Sequence, residues 1–482
     1  MFRRTEIACH CRVLRVVVKQ NFDGGKAQER KSGMAQVPWL WYDVPMLFPL
    51  LNTYDELQHE LDRHGATLPM CDDLSVLSEP LTFGTTKKFT LPNRFVVQPM
   101  EGFDSGPDGE PTELGFRRYE RFANGGAGLL WFEATAVRAE ARSNSQQFWI
   151  NEKSVHRFAA LEEKTRSLAK KKFGHDIISI LQLTHSGRYS KPTRGNRAPV
   201  IVQHSGVLDS AHNIPADHLL MTDDGLDRLQ DDYVAAAILA AKCGFDGVDI
   251  KSCHGYLLNE LLGAHTRQGR YGGSFENRTR FLRETIDRVR NEVPTIFVTT
   301  RLNVYDAVKY PWGFGVGKED YKQWDLSEAK ELAKMLHRLG VPLLNVTIGN
   351  PYFNPHYNRP YAKAIRGAEP YDEHPLLGIA RFANIVREMQ ESLPDLPMFG
   401  AGTAWLRHLV PKVAAGIVKQ GWATLFGYGR GAFAYPDMPS DIMSTGTMNT
   451  KKVCVACSGC TELMRMESPT GCIIRDRDYY RI

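Results

Sequence analysis

Between about residue 89 and residue 428, short apolar runs alternate with longer stretches whose apolar positions recur at helical spacing. Eight runs have the composition of buried strands: residues 94–100, 127–135, 176–183, 245–251, 295–302, 342–348, 397–402 and 423–429. The intervening stretches predict helices over residues 113–124, 154–171, 223–243, 277–292, 326–339, 375–391 and 405–420. Apolar strands separated by helices predict a parallel sheet, and eight such units predict an α/β fold of the (β/α)8 TIM-barrel type.

A doubly wound open sheet is the alternative arrangement of such units. It requires a glycine-rich first turn that opens a helix after an early strand. No G-x-G-x-x-G sequence follows an early strand in this chain. The barrel is therefore the predicted fold.

The barrel pattern divides the chain into three predicted parts: an N-terminal helical extension (1–80), the barrel (81–440) and a short cysteine-rich segment (441–482). Residues 1–33 are basic and precede a second methionine, Met34, so we expect them to be disordered or untranslated. Residues 38–80 are rich in aromatic side chains and predict two short helices that pack on the barrel or on another subunit.

Composition is that of a globular protein, with 43% hydrophobic and 24% charged residues. No run of 18 apolar residues exists, and the net charge of +5 is not concentrated in a basic stripe. The sequence therefore predicts no membrane segment and no nucleic-acid partner. Four of the nine cysteines crowd the last 30 residues or so and the others are scattered, which predicts a reducing, cytoplasmic location rather than a disulfide framework.

Candidate chemistry lies at the carboxyl ends of the predicted strands, where barrels of this kind place their active sites. The last two strands end in glycine-rich turns, "GAGT" (400–403) and "GYGRG" (427–431), whose backbone N–H groups suit a phosphate, and Arg430 adds a charge. Gln182 offers an amide to a ring edge, and Arg301 offers a fixed cation. Together they predict flavin mononucleotide (FMN), although each also has a structural interpretation as a turn, a buried polar residue or half of an ion pair.

Five segments carry a resemblance to a known family: "NRFVVQPM", "LQLTHSGR", "GFDGVDIKSCHGYLLNELL", "RYGGSFENRTRFL" and "GYGRGAFAYPD". They resemble the old yellow enzyme family of NADH:flavin oxidoreductases, across roughly residues 80–440. The resemblance implies an FMN-binding barrel, with the cofactor held by Pro99, Met100, Glu101, Ala134, Gln182, Arg301, Gly402, Thr403, Gly429 and Arg430. It also implies that NADH or NADPH delivers a hydride to the flavin, which passes it to an activated double bond while Tyr256 donates a proton.

Two residues, Glu101 and Lys251, depart from the family pattern. Glu101 stands where the family places a small or hydroxyl/thiol residue near the flavin, so we expect its carboxyl to be protonated or turned away. Lys251 and His254 stand where the family has a His-x-x-His or His-x-x-Asn pair that grips a carbonyl oxygen. Lys251 is predicted to bind an oxyanion, to recognise an acidic substrate or to transfer a proton, and the alternative is a structural ion pair with Asp249.

The tail contains Cys454, Cys457, Cys460 and Cys472 in a C-x2-C-x2-C-x11-C pattern. Three closely spaced thiolates with a distant fourth predict a [4Fe–4S] cluster, whereas zinc more often uses two separated pairs. Trimethylamine dehydrogenase and 2,4-dienoyl-CoA reductase, members of the resembled family, have nearly this spacing after their barrels. We expect the cluster to exchange electrons with a separate protein or within a homo-oligomer. A purely structural cluster is the alternative.

Two activities are consistent with these features. The first is reduction of an unsaturated small molecule by NAD(P)H through FMN, with the cluster relaying electrons. The second is oxidative demethylation or deamination of an amine, with electrons leaving through the cluster. A protein that serves only as a non-enzymatic scaffold would have lost its flavin-binding residues. Gln182, Arg301 and Gly429-Arg430 are all present, which argues against this alternative.

Overall fold

Ten strands form the sheets of this computed structural model, which describes residues 48–84, 87–366, 368, 371 and 373–482. They are β1 (Leu81–Phe83), β2 (Phe89–Leu91), β3 (Phe95–Val97), β4 (Leu129–Ala136), β5 (Ile178–Thr184), β6 (Gly247–Ile250), β7 (Phe297–Tyr305), β8 (Leu344–Ile348), β9 (Met398–Phe399) and β10 (Phe426–Tyr428). The expectation that residues 1–33 are disordered or untranslated lies outside the described residues.

Strands β3–β10 form one parallel eight-stranded sheet in the order β10-β3-β4-β5-β6-β7-β8-β9. The two end strands approach each other, because the Thr424 N–H donates to the Met398 carbonyl at 2.9 Å. The sheet is thus a nearly closed barrel, and the predicted TIM-barrel fold is confirmed. Each predicted strand has a counterpart, although only Met398–Phe399 is strand within the predicted run 397–402.

The helices in the described part of the chain are α1 (Tyr54–Arg63), α2 (Glu113–Ala123), α3 (Val155–Phe173), α4 (Leu208–His212), α5 (Asp223–Lys242), α6 (Leu257–Leu262), α7 (Phe275–Arg278), α8 (Arg280–Glu292), α9 (Ser327–Arg338), α10 (Pro355–Asn358), α11 (Pro375–Ser392), α12 (Val410–Lys419), α13 (Arg430–Ala434), α14 (Met438–Thr445) and α15 (Gly459–Arg465). Short 3-10 helices cover Ser75–Ser78, Ala139–Ala141, Gly187–Tyr189 and Thr403–Leu409. No helix of the described residues is long and apolar enough to cross a membrane.

One predicted helix begins differently from the sequence expectation. The predicted helix 405–420 starts as the 3-10 helix Thr403–Leu409, and α12 follows from Val410. Pro411 lies in the first turn of α12, where a missing N–H costs nothing. Arg407 interrupts the preceding turn with a left-handed φ of 57°, which turns its side chain away from the helical path.

A hairpin that the sequence patterns did not predict closes the amino end of the barrel. β1 and β2 pair antiparallel, with Phe83 opposite Phe89. Their rings pack 5.6 Å apart, and Phe297 of β7 meets the Phe89 ring edge-on at 4.8 Å. These three phenylalanines cover the amino end of the barrel. The carboxyl end of the sheet is left for the functional site.

Helix α1 is the main element of the described N-terminal extension and packs against α11. Glu60 Oε1 of α1 lies 3.1 Å from His64 Nε2 and 3.7 Å from His374 Nε2. Although these groups could suggest a metal site, His374 Nδ1 accepts the Leu376 N–H at 3.2 Å. A neutral His374, favoured because burial lowers its pKa to about 4, therefore carries its proton on Nε2 and has no lone pair there for a metal.

Candidate functional site

A cavity of about 470 Å³ opens at the carboxyl ends of the barrel strands. Its lining includes the predicted residues Pro99, Met100, Glu101, Gln182, Lys251, His254, Tyr256, Arg301, Gly402, Thr403, Gly429, Arg430, Cys454 and Cys460. Ala134, Cys457 and Cys472 are not part of the lining; Ala134 is buried in β4, where its carbonyl accepts the Gln147 amide at 2.8 Å. The fold thus brings most of the predicted site residues, including two of the four cysteines, to one cavity.

The buried carboxylate of Asp249 positions two of the predicted cofactor residues. It accepts hydrogen bonds from Gln182 Nε2 at 2.6 Å, from the Arg301 backbone N–H at 2.7 Å and from Trp131 Nε1 at 2.8 Å. Burial raises the Asp249 pKa to about 6, and these three hydrogen bonds oppose the rise. Since Asp249 is used in this way, it makes no ion pair with Lys251 within 4.0 Å.

Arg301 reaches the cavity from β7 and is only 7% exposed. Its Nη2 lies 3.4 Å from Thr347 Oγ1, while its buried Nε has no hydrogen-bond partner. Burial lowers the Arg301 pKa, and three acidic groups nearby oppose this decrease: Cys253, Asp249 and Glu101. A buried donor without a hydrogen-bond partner costs free energy. This guanidinium is therefore available to donate to an acceptor on a ligand.

The glycine turns after β9 and β10 form the opposite end of the cavity. Gly402 has a left-handed φ of 104°, and a Cβ there would lie 2.8 Å from Phe382 Cδ1. A Cβ at Gly429 would lie 2.9 Å from Met100 Sδ. Gly402 therefore requires glycine because of its left-handed φ, whereas a side chain at Gly429 would displace Met100. The absence of side chains at both positions leaves backbone groups open to a ligand.

Two arginines at this end carry buried donors without partners. Arg430 donates from Nη2 to the Pro360 carbonyl at 2.7 Å, but its Nη1 has no partner. Arg407 leaves both Nε and Nη1 unpartnered. The donors suit an anion such as a phosphate. Sequence patterns did not single out Arg407, because its position depends on the left-handed backbone that interrupts its turn.

Lys251 follows β6 directly and is 3% exposed. Its ammonium nitrogen lies 3.9 Å from Glu101 Oε1 and 4.0 Å from the centre of the Tyr256 ring. Glu101 lines the cavity, and Gln147 Nε2 donates to its Oε1 at 3.2 Å. Burial raises the Glu101 pKa, while Lys251 and Arg301 oppose the rise.

Tyr256 is 1% exposed and belongs to a group of three tyrosines. Its hydroxyl lies 3.0 Å from the Tyr352 hydroxyl, and the Tyr352 ring stacks on the Tyr189 ring at 4.0 Å. Burial raises the Tyr256 pKa well above its usual value, and Glu101 and Tyr352 act in the same direction. The phenol therefore stays protonated at neutral pH. Neither Tyr189 nor Tyr352 was singled out from the sequence, although both follow barrel strands closely.

His254 adopts a left-handed φ of 66° in the turn after β6. Its Nε2 lies 3.2 Å from Asn358 Nδ2, which also donates to the Ile348 carbonyl at 3.0 Å. Since the amide nitrogen faces a carbonyl, His254 Nε2 is the acceptor and a neutral ring carries its proton on Nδ1. Burial lowers the His254 pKa well below its usual value, so the ring is uncharged.

The four cysteines of the tail are close enough to influence one another and are surrounded by backbone donors. Cys454 Sγ accepts the Ala456 N–H at 3.4 Å, and Cys472 Sγ accepts the Arg475 N–H at 3.3 Å. The Cys454 thiol in turn raises the pKa of both Cys457 and Cys472, adding to the larger effect of burial. No three of the four sulfurs lie within 4.8 Å of one another in the described chain.

Comparisons with known proteins agree with this geometry. The sequence profile of the NADH:flavin oxidoreductase / NADH oxidase family matches residues 76–334. An NADPH dehydrogenase from Bacillus pumilus is 33% identical over 271 residues, covering 55% of this chain and 72% of the relative. An NADPH dehydrogenase from Bacillus subtilis is 31% identical over 271 residues, with shares of 55% and 72%.

Solved structures show the same fold at lower identity. A 2-naphthoyl-CoA reductase complex aligns with a TM-score of 0.66 and 20% identity, covering 84% of this chain and 57% of that one. The old yellow enzyme homologue from Zymomonas mobilis gives 0.59 and 21%, with shares of 84% and 99%. Histamine dehydrogenase from Rhizobium sp. gives 0.63 and 19%, with shares of 84% and 53%. The chain therefore spans just over half the length of the first and third structures. The profile match and the Bacillus relatives establish that this chain is an oxidoreductase belonging to the NADH:flavin oxidoreductase / NADH oxidase family.

Proposed function

We propose that this oxidoreductase binds FMN and uses NADH or NADPH to reduce the activated C=C bond of a small molecule. A [4Fe–4S] cluster held by Cys454, Cys457, Cys460 and Cys472 relays electrons. One observation carries the proposal: the buried Tyr256 phenol lines the same cavity as arginine side chains whose guanidinium donors have no partners. A bound flavin supplies hydride transfer, which no side chain of the protein provides.

The residues around the cavity fit FMN on structural grounds. Arg430 and Arg407 supply unpartnered donors beside glycine turns that leave backbone exposed, a setting that suits a phosphate. Gln182 and Arg301 are held by Asp249 on neighbouring sides of β6, in place to bind the polar edge of a ring system. Pro99 and Met100 add apolar walls.

Three side chains would act on the substrate. The Tyr256 phenol holds a proton at its Oη and delivers it to the carbon next to the activating group. The Lys251 ammonium opposes the negative charge that develops on the substrate oxygen, and the Nδ1–H of neutral His254 is a further donor. Glu101, which burial makes harder to ionise, adds less negative charge beside a reduced flavin than an exposed carboxylate would.

The cysteines favour an iron–sulfur cluster over zinc. The C-x2-C-x2-C-x11-C pattern has three closely spaced thiols and a distant fourth, which is typical of a four-iron cluster. Zinc more often uses two separated pairs. Backbone N–H groups that point at Cys454 and Cys472 would stabilise the charge of such a cluster.

Amine oxidation is the second candidate, because the cysteine spacing also occurs in trimethylamine dehydrogenase. The charges of the cavity oppose it. Lys251 and Arg301 line the cavity, where their charges repel a protonated amine. The carboxyl groups near them are Glu101, whose pKa is raised by burial, and Asp249, which is already engaged in three hydrogen bonds. The reductase is therefore the better-supported activity.

Purified protein reconstituted with FMN, iron and sulfide under anaerobic conditions tests the proposal. We expect flavin and iron–sulfur absorption, rapid bleaching of the flavin by NADPH or NADH, and reoxidation by 2-cyclohexen-1-one. Arg430→Ala and Arg407→Ala should weaken FMN binding, whereas Arg338→Ala on the outer face of α9 is the control. Failure to bind FMN, or bleaching by histamine or trimethylamine but not by a nicotinamide, would overturn the proposal.

A further inference from the structure

A second cavity, of about 490 Å³, lies between α2 and the cysteine-rich segment (441–482). Of the described residues that line it, five are cationic: Arg117, Arg121, Lys451, Lys452 and Arg475. These five side chains are called the basic face. The acidic residues Glu120 and Asp437 also line it, and each is paired with a lysine. Positive charge therefore dominates this surface.

Part of this positive charge has no counterion within the described chain. Arg117 and Arg121 share a single carboxylate, that of Asp476. Lys451 is exposed, and the ion pairs of the described residues include none for Lys451 or Arg475. The Arg475 guanidinium donates from Nε to a backbone carbonyl, that of Val453, at 3.2 Å. Cations left unpaired on a surface attract an anionic partner and help to orient it.

The same stretch of chain borders both the basic face and the main cavity. Lys451 and Lys452 belong to the basic face, and the next two residues, Val453 and Cys454, line the main cavity. Tyr435 lines both cavities. On the other side of the segment, the Arg475 N–H donates to Cys472 Sγ at 3.3 Å. A partner on the basic face would therefore contact residues within three positions of two predicted cluster ligands.

An exposed aromatic side chain next to the basic face favours a protein as that partner. Tyr479 is 54% exposed, and the Arg117 guanidinium lies 3.5 Å from the centre of its ring. Tyrosine and arginine are the residue types that protein interfaces favour, because they combine a large contact area with polar groups. A small anion would need only the cations.

We propose that the basic face binds a small acidic electron-carrier protein of the ferredoxin type, which delivers electrons to a cluster held by Cys454, Cys457, Cys460 and Cys472. The inference rests on the proposed function and names the partner of that cluster. The direction of transfer follows from chemistry, since ferredoxins of the plant type are strong reductants. A nucleic acid is the competing anionic partner, and the binding experiment includes it.

The overall reaction balances with this carrier as the reductant. Two reduced ferredoxin molecules each give one electron, and the two electrons replace the pair that NAD(P)H supplies as a hydride. Tyr256 gives one proton to the substrate and regains one from solvent, and a second proton comes from solvent. The C=C π bond breaks, each of its carbons gains a hydrogen, and the products are the saturated compound and two oxidised ferredoxins.

The binding test uses plant-type [2Fe–2S] ferredoxin and the full chain loaded with FMN, iron and sulfide. We expect the Kd to rise at least tenfold between about 0.05 and 0.3 M salt, because screening weakens contacts between exposed charges. Lys451→Glu should raise the Kd at least fivefold, since a charge at the rim of an interface steers association. Lys451→Arg should change it less than twofold. Lys334→Glu, at an exposed position on α9, is the matched control.

Two further probes test the partner's charge and class. Cytochrome c, a basic one-electron carrier, should not bind measurably under the same conditions. A single-stranded DNA oligomer should bind more weakly than ferredoxin. Equal binding of cytochrome c, a ferredoxin Kd that Lys451→Glu leaves unchanged, or tighter binding of the DNA through Lys451 would overturn the inference.

Turnover separates the docking surface from the proposed reductase function. With ferredoxin below saturation and no nicotinamide present, Lys451→Glu should slow reduction of 2-cyclohexen-1-one at least fivefold. The rate with NADPH should change less than twofold, because the basic face lies outside the main cavity. If NADPH supports reduction but ferredoxin neither binds nor reduces, the docking inference fails alone. If ferredoxin binds through Lys451 but neither donor reduces any compound, the proposed function fails and the docking surface stands.

Discussion

At the scale of single residues, burial sets the protonation state of Tyr256, the proposed proton donor. The Tyr256 pKa is raised well above its usual value because the phenol is buried beside Glu101 and Tyr352. The phenol is therefore fully protonated throughout the neutral range. Because a group with a raised pKa loses its proton only at higher pH, the proton-transfer step should not slow as pH rises from 6 to 9.

Tyr256→Phe tests this role directly. Removing a general acid typically costs 10²- to 10⁴-fold, so we expect reoxidation of the reduced enzyme by substrate to slow at least a hundredfold. Flavin reduction by NADPH should be unchanged, because that step needs no proton from Tyr256. Stopped-flow measurement of the two half-reactions separates them. Tyr321→Phe, outside the cavity lining, is the matched control, and equal slowing of both half-reactions would contradict the assignment.

The substitution Tyr352→Phe tests the same proton transfer and should slow it less. The Tyr352 hydroxyl lies 3.0 Å from that of Tyr256 and supports it through one hydrogen bond. Loss of a bond worth about 1 kcal/mol predicts a roughly fivefold slower reoxidation. The slope of this rate against pH should remain flat. A Tyr352→Phe enzyme as slow as Tyr256→Phe would mean that Tyr352 is itself the donor.

At the scale of elements, the cysteine segment also contributes to the rim of the cavity. Glu467, directly after α15, pairs with Lys191 and accepts the Gly195 N–H at 3.3 and 3.2 Å from its two carboxylate oxygens. These contacts fasten the segment to the loop that follows β5, and Met464 and Arg465 thereby form part of the cavity rim.

Glu467→Gln should loosen this rim without touching the reacting groups. We expect KM for the substrate to rise about two- to fivefold while kcat changes little, because a partly exposed ion pair contributes at most about 1 kcal/mol. Raising the ionic strength should raise the wild-type KM towards the variant value. Steady-state kinetics at low and high salt measures both effects. A fall in kcat at constant KM would show that Glu467 acts elsewhere.

Asp306 shows how an element end can make stability depend on pH. Its carboxylate follows β7 and accepts the Val308 and Phe314 N–H groups, each at 2.9 Å. Burial nevertheless raises its pKa to about 7, while these hydrogen bonds oppose the rise. The folded chain therefore binds a proton that the unfolded chain releases near pH 4. The free energy of unfolding should fall as pH rises from about 4 to 7 and level off above.

Thermal unfolding at pH 5 and pH 8 measures this effect. The midpoint should be lower at pH 8, and Asp306→Asn should reduce the difference, because the amide does not ionise. The variant keeps one acceptor oxygen and loses the other, so it should be less stable at pH 5 by about 1 to 3 kcal/mol. Asp395→Asn on the surface is the control. An unchanged difference in Asp306→Asn would remove this residue as its source.

The elements that the sequence predicted are those with a strong periodic signal. The eight apolar runs became the barrel strands, and Gln182, Lys251 and Arg301 could be placed because strand ends share one edge of a barrel. Arg407 could not, since its position depends on a left-handed residue in a 3-10 turn. Asn358 could not either, because it reaches His254 from the end of α10, more than 100 positions away, a contact that no local pattern encodes.

At the scale of the whole molecule, the tail is tied to the barrel at several points. Asp476 pairs with Arg117 and Arg121 of α2, and the Thr470 N–H donates to the Gly102 carbonyl at 2.6 Å, in the loop that follows β3. Gly102 adjoins Glu101, which lines the cavity, so the cysteine segment contacts the loop that borders the cavity. The cytoplasmic location, the oligomeric state and a separate electron carrier stay predictions.

Because the cysteine segment contacts the barrel next to the cavity, a cluster there would both relay electrons and stabilise the fold. The substitution Cys472→Ser separates these two roles. Loss of one of four thiolates should lower the iron content and the unfolding midpoint, because ligand binding contributes to folding. If the cluster relays electrons, NADPH-driven reduction of ferricenium should fall at least tenfold while bleaching of the flavin by NADPH persists. Cys71→Ser, outside the segment, should change neither. A variant that loses stability but keeps full ferricenium reduction would leave the cluster only its structural role, and the electrons would then leave the flavin by another path.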